Sequence, residues 1–509
     1  MKVQSPPRDA EGFELVASQE QARAIDRAAI DDWKIPGRVL MEVAGVMATR
    51  VIRARSGEVA GKAVILCGPG NNGGDGWVVA RHLQEAGWVV RVVATAEPAP
   101  GTDAHVNFAL WQRLGGEIRW AERGATARMK NWLNHANVIV DALFGTGLTR
   151  AVEGAAAELI AAANDAEHGL KVALDVPSGL DGDRGAVLGG AFRADVTVTF
   201  GLAKTGLYLG AGPAHAGEIV VVSIGWPHPV INAIDAVLRR ARPDALATRV
   251  PARPDNGHKG TFGHVGVIGG FAGKEGAAIL ASLGALRAGA GLATWLAPAS
   301  ASAPERPPEL MREVLDSGGD GPLPTRPTVL VVGPGLGDEP DILRRVLADP
   351  RPHVLDADAL NTLAAAPTHV PRAVLTPHPL EAARLLSTDA PSIQADRLAA
   401  ARHLVAKYHA TVVLKGAGTI VAAPDHAPVL IDIADPTLAT GGTGDVLAGC
   451  IAGLMAQGAS PRDAALVGVY VHAVAARDLG EQQARRGVLA HEIANALPKA
   501  LAALLAGWT

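Results

Sequence analysis

The sequence contains few of the residues that hold small secreted proteins together. Only two cysteines occur among its 509 residues, Cys67 and Cys450, and both lie in apolar periodic segments. A disulfide framework is therefore not expected. The 47 Lys and Arg residues nearly balance the 51 Asp and Glu residues, so the chain has no excess of positive charge for nucleic acid or an anionic membrane.

Long apolar runs are also missing. No uninterrupted apolar stretch is long enough to span a bilayer, and residues 1–14 lack the apolar run of a signal peptide. We therefore expect a cytoplasmic protein without a membrane or nucleic-acid partner. No cluster of His and Cys has the spacing of a zinc site. A chain of 509 residues exceeds what one core supports, so two or three domains are expected.

Short apolar runs are present in the first half of the chain. Residues 15–60 are predicted to form two helices whose apolar faces serve packing rather than chemistry. From residue 62 onward, strand-like runs alternate with helix-like segments: KAVILCG, VVRVVAT, NVIVDALF, KVALDVPSG, VTVTFG and EIVVVSIG. Continuous runs of Val, Ile and Leu separated by helices predict an α/β fold, with a parallel sheet covered on both faces. Ligands of such sheets bind at the carboxyl ends of the strands.

Three polar segments fall at those strand ends: Asn71–Gly76 (NNGGDG), Asp141–Leu148 (DALFGTGL) and Asp175–Gly179 (DVPSG). Each has a plain structural alternative, namely a helix start, a glycine turn and a tight proline turn. As a site, the side-chain oxygens of Asn72, Asp141 and Ser178 would surround a hard cation. Asp175 would remain as a general acid or base.

These segments, with DVPSGLDGDRG and TFGLAKTGL, resemble in their order the N-terminal domain of the NAD(P)H-hydrate epimerases, over residues 68–207. The resemblance implies a Rossmann-like domain that binds the hydrated dinucleotide. The implied substrate-binding residues are Asn71, Asn72, Gly73, Gly74, Asp75, Gly145, Thr146, Gly147, Leu148, Thr149, Arg150 and Ala151. It also implies potassium bound by Asn72, Asp141 and Ser178. Asp175 would contact the substrate, and we take it as the group that transfers a proton at C6 of the damaged ring; Lys204 fits the family pattern but receives no role.

A second alternating block begins near residue 263. Its strand-like runs are HVGVIGG, LATWLAP, TVLVVGPGLG, HVLDADAL, RAVLTPHP, ATVVLKG and TIVAAP. Residues 231–257, rich in Pro, Arg and Asp without periodicity, are predicted to be a linker between domains 1–230 and 258–509. A helix at 276–290 is rich in small residues, as close packing of a helix on a sheet requires. His472 lies in an apolar periodic run and is predicted to be structural.

The most informative stretch is Gly441–Gly449, GGTGDVLAG, which begins as a glycine turn and continues into a helix. A helix N-terminus offers unpaired N–H groups and partial positive charge to a phosphate, and glycines let the backbone approach it closely. Asp445 then stands in the first turn, where a carboxylate can take a proton from a hydroxyl that attacks the phosphate. The alternative is an ordinary Asp in the first turn of a helix.

Other strand-end motifs of this block are open to two interpretations. GPGLG at 333–337 either approaches a phosphate or ring, or is only a turn. Asp356 and Asp358 form a metal or substrate pair or, as we favour, a helix cap. For His378, a contact with a ligand and a helix cap are equally favoured interpretations. Lys415–Thr419 either contacts nucleotide or is simply a hairpin.

Seven motifs of this block resemble, in their order, the NAD(P)H-hydrate dehydratases, which have a ribokinase-like fold. They are HKGTFGHVGVIGG, GALRAGAGL, VVGPGLG, VLDADAL, TPHPLEAARL, LKG and GGTGDVLAG. The resemblance implies two groups of binding residues. The hydrate site would contain Ala277, Gly335, Gly337, His378 and Asp445. The adenine-nucleotide site would contain Lys415, Gly416, Ala417, Gly418, Thr419 and Gly444, with Mg²⁺ on ADP or ATP. Two places depart from the family pattern: Leu380 stands where the family has Gly, and 434–436 replaces a Gly/Asn-rich segment.

The two resemblances together predict an α/β enzyme of two doubly wound domains that repairs hydrated NADH and NADPH. The N-terminal domain would epimerise the R and S hydrates. The C-terminal domain would dehydrate the S hydrate with ADP or ATP, and resemblance to the bacterial two-domain form favours ADP. We also expect a homo-oligomer. The alternative is a ribokinase-like small-molecule kinase with a non-catalytic nucleotide-binding N-terminal module, because fold alone does not exclude it.

Overall fold

The computed structural model describes residues 6–57, 59–122, 124–299, 301–302, 304–316 and 321–507. The chain forms two compact units: Met1–Asp9 with Glu14–Leu238 (the N-terminal unit), and Ala10–Phe13 with Arg239–Thr509 (the C-terminal unit). The outer ends of the predicted domains, 1–5 and 508–509, lie outside the described residues. No helix within the described ranges combines the length and apolar character that crossing a membrane requires.

The N-terminal unit alternates strands with helices, as its apolar runs predict. Its strands are β1 (Glu14–Ala17), β2 (Lys62–Cys67), β3 (Val89–Ala94), β4 (Glu117–Trp120), β5 (Val138–Ala142), β6 (Leu170–Leu174), β7 (Val196–Phe200), β8 (Ala203–Lys204) and β9 (Glu218–Val222). Its helices are α1 (Gln19–Asp31), α2 (Gly37–Arg55), α3 (Asn71–Glu85), α4 (Asp103–Arg113), α5 (Ala127–Asn134), α6 (Gly154–Asn164), α7 (Gly212–Ala216) and α8 (His228–Asn232).

A parallel sheet in the order β4-β3-β2-β5-β6-β7-β9 forms the centre of this unit. Alternate residues of β2 face opposite apolar clusters, Ile65 on one side and Leu66 on the other. Helices α1 to α4 contribute to the first cluster and α5 and α6 to the second. The predicted parallel sheet covered on both faces is therefore confirmed. Strand β1 pairs in parallel with β8.

The C-terminal unit repeats this alternation. Its strands are β10 (Leu238–Arg240), β11 (His264–Ile268), β12 (Leu292–Pro298), β13 (Met311–Leu315), β14 (Val329–Val332), β15 (His353–Leu355), β16 (Ala373–Leu375), β17 (Thr411–Leu414), β18 (Thr419–Ala422) and β19 (Val429–Ile431). Its helices are α9 (Pro243–Ala247), α10 (Glu275–Arg287), α11 (Pro340–Ala348), α12 (Asp358–Ala365), α13 (Pro379–Leu386), α14 (Ala390–Ala395), α15 (Arg397–Tyr408), α16 (Thr443–Ala456), α17 (Pro461–Gln482) and α18 (Ala490–Ala506).

The strands of the C-terminal unit follow the order β13-β12-β11-β14-β15-β16-β17-β18-β19-β10. The pairs are parallel except those of β18, which runs antiparallel to β17 and β19. Helices α10, α16, α17 and α18 bury their apolar faces in one large cluster on this sheet. Both cysteines of the chain are buried and unpaired, in agreement with the absence of a disulfide framework.

Helices α10 and α16 touch along a seam of glycines. A Cβ at Gly449 of α16 would lie 1.8 Å from the carbonyl oxygen of Ala281, and one at Gly284 of α10 would lie 2.3 Å from that of Val446. Only a hydrogen atom fits at either position. The small residues predicted to pack this helix against a sheet therefore also bring two helix backbones into contact.

The segment predicted to be a linker, 231–257, contains regular structure. Arg239 and Arg240 of β10 pair with β19, and Leu246 of α9 is fully buried in the core of the C-terminal unit. Part of the predicted linker therefore belongs to the sheet and the core of the C-terminal unit. A three-residue strand of Leu-Arg-Arg has no apolar run of its own, and its partner strand supplies the hydrogen bonds that order it.

Candidate active sites

The N-terminal cavity lies where the strand order of the parallel sheet reverses. The chain runs from β2 to β3 and β4 toward one edge, then resumes with β5 on the other side of β2. Loops that leave the carboxyl ends of β2 and β5 therefore diverge, and such a crevice is where α/β sheets bind ligands. A cavity of about 510 Å³ opens there. Its lining includes residues of all three polar segments: Asn71, Asn72, Asp75, Gly145, Thr146, Gly147, Leu148 and Asp175.

Some residues predicted to bind substrate do not line this cavity. Gly73 and Gly74 serve packing in the first turn of α3. A Cβ at Gly73 would lie 1.8 Å from the carbonyl oxygen of Gly68, and one at Gly74 would lie 2.6 Å from the side chain of Met41. The segment 149–151 continues beyond the cavity wall. The lining therefore comes from Asn71, Asn72 and Asp75, which flank Gly73 and Gly74, and from residues 145–148.

Beside the cavity, two of the predicted cation ligands, Asp141 and Ser178, contact each other, and the third, Asn72, lies against Gly145. Asp141 is fully buried and accepts hydrogen bonds from the hydroxyl and the backbone N–H of Ser178, at 2.6 and 2.7 Å. Burial raises the pKa of Asp141 to about 6, against the lowering effect of these bonds. The side-chain amide of Asn72 is buried without a hydrogen-bond partner among the described residues, and a Cβ at Gly145 would lie 3.3 Å from it. Carboxylate, hydroxyl and amide oxygens are the donor types that hard cations prefer.

Asp175 follows β6 with a φ of +63°, in the left-handed region that residues other than glycine rarely adopt. Its Oδ1 accepts hydrogen bonds from the ammonium of Lys204, the hydroxyl of Thr199 at 3.3 Å and the backbone N–H of Phe200 at 3.2 Å. Within the described part of the chain, no hydrogen bond reaches its Oδ2. Asp175 is therefore held by one oxygen while the other stays available to a ligand.

Two further carboxyl groups lie close to Lys204. Asp26 of α1 lines the same cavity and accepts a hydrogen bond of 2.8 Å from the indole N–H of Trp226. Burial raises the pKa of Asp26, although the bond from Trp226 opposes the shift. Burial likewise raises the pKa of Asp75 well above its ordinary value, and the charges of Asp175 and Asp26 add to it. One ammonium therefore faces several carboxyl groups, and burial of Asp26 and Asp75 favours the protonated form of each.

The C-terminal site also lies at a reversal of strand order, between β11 and β14. The chain runs from β11 to β12 and β13 at one edge and resumes with β14 on the other side. The loops after β11 and β14 meet there: the N–H of Gly270 donates to the carbonyl of Pro334 at 2.9 Å. A Cβ at Gly335 would lie 3.4 Å from that of Ala277. These two predicted hydrate-site residues are thus adjacent at the crevice.

Helix α16 starts on the GTGD motif, as predicted. Gly442 precedes it with a φ of +90°, which glycine readily adopts. Asp445 lies in the first turn, and none of the described residues donates a hydrogen bond to its carboxylate. Burial raises the pKa of Asp445 to about 7, with Asp356 adding to the shift and Lys415 opposing it. At neutral pH the group stands between its acid and base forms, as a general base requires.

The ammonium of Lys415 lies between the GTGD turn and two acids. Its Nζ is 2.8 Å from Oδ1 of Asp356 and 3.9 Å from Oε2 of Glu381. A Cβ at Gly444 would lie 3.3 Å from the same Nζ. Burial by itself lowers the pKa of Lys415, but the charges of these acids outweigh it and raise the pKa. A positive charge therefore adjoins the helix N-terminus, which suits a phosphate.

The interpretation of Asp356 and Asp358 as a helix cap is wrong. Helix α12 starts at Asp358 without a side-chain cap. Asp356 instead pairs with Lys415 and accepts a hydrogen bond of 2.8 Å from the hydroxyl of Thr376. Asp358 accepts from the N–H of Gly337 at 2.8 Å. Both carboxylates bind groups from other strand ends, which a local cap pattern does not reveal.

His378 is the N-cap of α13, so the capping alternative is confirmed, with Pro379 at the first helical position as predicted. Its Nδ1 accepts from the backbone N–H groups of Leu380 and Glu381 at 3.1 and 3.4 Å. Burial and the charge of Lys415 lower the pKa of His378. Because Nδ1 accepts two N–H groups, the neutral form of the ring has its proton on Nε2. The side chain is 45% exposed. A ligand contact through Nε2 stays a prediction.

The Lys415–Thr419 turn joins β17 and β18 as a hairpin, and a contact with nucleotide there stays a prediction. The buried guanidinium of Arg397, from α15, lies against this turn. It donates to three carbonyl oxygens at 3.0 to 3.3 Å, those of Leu414, Lys415 and Gly418. A planar trans peptide points its N–H away from its C=O, so the N–H that follows each held carbonyl faces away from Arg397. The N–H of Gly416 therefore faces outward, where an anion would bind, whereas the N–H of Lys415 donates to the carbonyl of Pro377 at 2.9 Å.

Two family models match the chain, one to each unit. The model described as NAD(P)H-hydrate dehydratase matches residues 265–499, and the model described as YjeF-related protein N-terminus matches residues 37–206. The bifunctional NAD(P)H-hydrate repair enzyme Nnr of Moorella thermoacetica (strain ATCC 39073 / JCM 9320) is 39% identical over 96% of this chain and 96% of its own length. The chain belongs to the family of bifunctional NAD(P)H-hydrate repair enzymes.

Other members of this family of repair enzymes align over similar lengths. The enzyme of the same name from Coxiella burnetii is 38% identical and covers 94% of this chain and 98% of its own, and the one from Escherichia coli is 37% identical over 94% and 92%. A crystal structure of the ADP/ATP-dependent NAD(P)H-hydrate dehydratase from Bacillus subtilis, co-crystallized with ATP/Mg²⁺, is 29% identical. It covers 52% of this chain and 97% of its own, with a TM-score of 0.46.

Three residues at these repair-enzyme sites lie outside the sequence-based assignments. Asp26 belongs to a helix that was predicted to serve packing only. Lys204 was noted without a role, and Arg397 was not noted at all. Each acts through a partner distant in sequence, namely Trp226, Asp175 and the Lys415–Thr419 turn. His472 is 5% exposed, in line with its predicted structural role.

Proposed function

We propose that this chain repairs hydrated NADH and NADPH in two steps. The N-terminal unit interconverts the R and S hydrates. The C-terminal unit converts the S hydrate back to the reduced dinucleotide at the expense of ADP or ATP. One observation carries the proposal: in both units a switch-point crevice joins glycine-rich backbone to carboxyl groups of perturbed pKa. Membership of the family of bifunctional repair enzymes supports it.

In the N-terminal crevice, Asp175 would transfer the proton at C6, the ring carbon that carries the added hydroxyl. Three donors, from Thr199, Phe200 and Lys204, hold its Oδ1, while Oδ2 accepts no hydrogen bond from the described residues. A carboxylate held on one side presents its free oxygen in a defined direction, which general acid or base catalysis needs. The cavity-lining residues of 71–75 and 145–148 would hold the dinucleotide.

Potassium would be held by Asn72, Asp141 and Ser178. Two observations support this donor set. No cation pairs with the buried carboxylate of Asp141 among the described residues, and the amide of Asn72 has no hydrogen-bond partner there. A bound cation would neutralise the buried acid and hold the loops that carry these residues.

In the C-terminal crevice, phosphate transfer would turn the ring hydroxyl into a better leaving group. Hydroxide leaves poorly, whereas a phosphorylated hydroxyl leaves as phosphate. Asp445 would take the hydroxyl proton as the oxygen attacks the terminal phosphate, and the N–H groups of the GTGD turn with Lys415 would stabilise the moving phosphoryl group. The residues that would position the hydrate are Ala277, Gly335, Gly337 and His378.

The adenine nucleotide would bind along the Lys415–Thr419 turn and Gly444, with Mg²⁺ on its phosphates. In the described ranges, no group of three or more His, Cys, Asp or Glu side chains can hold a metal ion. Asp356 and Asp358 already bind protein groups. Magnesium would therefore arrive with the nucleotide, in its usual mode, and neutralise phosphate charge.

Pure R hydrate tests both steps. Without nucleotide, the native chain is expected to convert it to a mixture of R and S, measured by chromatography, with no return of reduced-nicotinamide absorbance. Addition of ADP and Mg²⁺ should restore that absorbance. A stable phosphorylated product without restored absorbance would overturn the dehydratase assignment in favour of a small-molecule kinase. Conversion of R hydrate at only the spontaneous rate would reduce the N-terminal unit to a binding module.

A further inference from the structure

Helix α1 supplies a carboxyl group that none of the sequence motifs contains. Asp26 lines the N-terminal cavity together with Asp75, Asp175 and Lys204. The indole N–H of Trp226 donates to its Oδ1 at 2.8 Å, and this is its one hydrogen bond from the described part of the chain. The step assigned to Asp175 leaves Asp26 without a task, although both face the same ligand space.

The surroundings of the two acids differ. Asp175 accepts three donors on one oxygen, among them the ammonium of Lys204. Asp26 accepts only the indole N–H and shares its wall with apolar residues such as Ile30 and Ile224. Burial raises the pKa of Asp26. Paired acids in unlike environments are the usual means by which one site supplies a proton donor and a proton acceptor together.

Epimerisation at C6 has a matching requirement. The hydroxyl must leave from one face of the ring, and water must return to the other face. Because C6 also bears the ring nitrogen, the nitrogen lone pair stabilises the cation that forms when the C6–O bond breaks. Hydroxide is a poor leaving group and must take up a proton as it departs. The reaction therefore needs a proton donor at departure and a proton acceptor at return.

We propose that Asp26 is the second catalytic carboxyl group of the epimerase, an inference that rests on the proposed function of the N-terminal unit. From the R hydrate, the O–H bond of Asp26 and the C6–O bond break, water leaves, and Asp26 becomes a carboxylate. The ring then carries one positive charge shared by C6 and N1. A second water forms the new C6–O bond from the other face and gives its proton to Oδ2 of Asp175. The reverse direction starts from ionised Asp26 and protonated Asp175, so atoms, protons and charge balance.

Epimerisation of pure R hydrate without nucleotide isolates this step in the full-length chain. Asp26→Asn should lower kcat about 100- to 1000-fold and change KM less than about threefold. Asp31→Asn makes the same substitution at an exposed position of α1 outside the cavity and should keep the native kcat. Dehydration of pure S hydrate with ADP should be unchanged in both variants, which shows that the C-terminal unit folds, and a KM for R hydrate near native shows the same of the N-terminal unit.

The pH profile separates a proton donor from a structural residue. Trp226→Phe removes an N–H that favours the ionised carboxylate, so the pKa of Asp26 rises and the alkaline limb of kcat should move to higher pH. The other charged groups facing the cavity are unchanged in this variant: Arg23, Asp75, Asp103, Asp175 and Lys204.

Two results would overturn the inference. One is a kcat of Asp26→Asn within about threefold of native, well below the usual effect of removing a general acid. The other is an alkaline limb that Trp226→Phe leaves in place. Failure of the native chain to epimerise R hydrate would instead overturn the proposed function itself.

Discussion

Both units place a lysine against an aspartate at the end of a parallel strand, and the Lys204 side chain is buried while that of Lys415 is 19% exposed. In the N-terminal unit Lys204 contacts Asp175, the acid proposed to transfer a proton. In the C-terminal unit Lys415 contacts Asp356 at 2.8 Å, and the proposed base is a different residue, Asp445. In the N-terminal site the ion pair therefore includes the proposed proton-transfer acid, whereas in the C-terminal site it does not include the proposed base.

The electrostatic consequence differs accordingly. Lys415 is already paired with Asp356, so its charge offsets only part of the effect of burial on Asp445, whose pKa stands at about 7. Lys204 contacts its own proton-transfer acid and also lowers the pKa of Asp26 against the effect of burial. Lys415 therefore lowers the pKa of one proposed base, whereas Lys204 lies close to several carboxyl groups at once.

The largest effect is expected from Asp445→Asn, which tests whether the two chemistries are separate. An amide takes up no proton, so nucleotide-dependent dehydration should fall by about 10³-fold. Epimerisation of R hydrate should keep its native rate. Asp425→Asn, the same substitution at an exposed position of the C-terminal unit, should change neither rate. Equal loss of both activities in Asp445→Asn would contradict the comparison.

Removal of the Lys204 ammonium, in the N-terminal unit, should have the second largest effect. Lys204→Met leaves the largely buried Asp175 without its cation and should lower the free energy of unfolding by about 3 to 5 kcal/mol, with loss of epimerase activity. Urea denaturation followed by tryptophan fluorescence measures the change. Lys62→Met, at an exposed lysine of β2, serves as control. If both variants were equally stable, Lys204 would not be the organising group.

The pH dependence of dehydration tests how far Asp356 and Lys415 set the pKa of Asp445. Because the ionised form of Asp445 is the base, log kcat should fall with unit slope below about pH 7 and level off above it. Asp356→Asn removes a negative neighbour and leaves Lys415 with only the more distant carboxylate of Glu381, at 3.9 Å. Both changes favour ionised Asp445, so the acid limb should move to lower pH in measured kcat profiles. A limb that stays in place would mean that burial alone sets this pKa.

A smaller effect is expected from Arg397→Met, which loosens the turn beside Lys415. Loss of the hydrogen bonds that hold three carbonyl groups should raise KM for ADP about tenfold, while KM for the hydrate stays near native. Arg402→Met changes an exposed arginine of the same helix and should leave both constants unchanged. Parallel increases in both KM values would point to a general loss of structure instead.

Leu380→Gly should have the smallest effect, although it restores the residue that the family pattern has. The side chain of Leu380 is 48% exposed, and the capping bond to His378 uses its backbone N–H, which glycine retains. Helix propensity predicts a loss of less than about 1 kcal/mol in unfolding free energy, and dehydratase kcat should change less than about twofold. A large gain in kcat would show that Leu380 restricts the hydrate site.

The sequence predicts the parts of the fold that are buried on two faces. Strands such as β2 and β14 read as unbroken Val, Ile and Leu runs because helices cover both sides of them. Strands β4 and β13 escape prediction because they lie at sheet edges, where Glu, Arg and exposed residues interrupt the run. Strand β10 escapes because its order depends on pairing with β19.

The same reasoning applies to the sites. Glycine turns and strand-end acids are local patterns, so the GTGD turn and the cavity-lining segments were predictable from the sequence. Asp26 was not, because its neighbourhood is an ordinary amphipathic helix and its hydrogen-bond partner, Trp226, lies 200 residues away. Asp356 was misinterpreted for a similar reason, since its partner Lys415 is 59 residues distant. Tertiary contacts decide the role of such residues.

The glycine seam between α10 and α16 limits the mutations that the dehydratase half tolerates. Gly284 and Gly449 face backbone atoms, which have no alternative rotamer to adopt when a methyl group is added. Even the smallest replacement at either position would push apart the two helices that carry Ala277 and Asp445. In a saturation library selected for dehydration, these two positions should return glycine alone, although neither side of the seam contains a reacting atom.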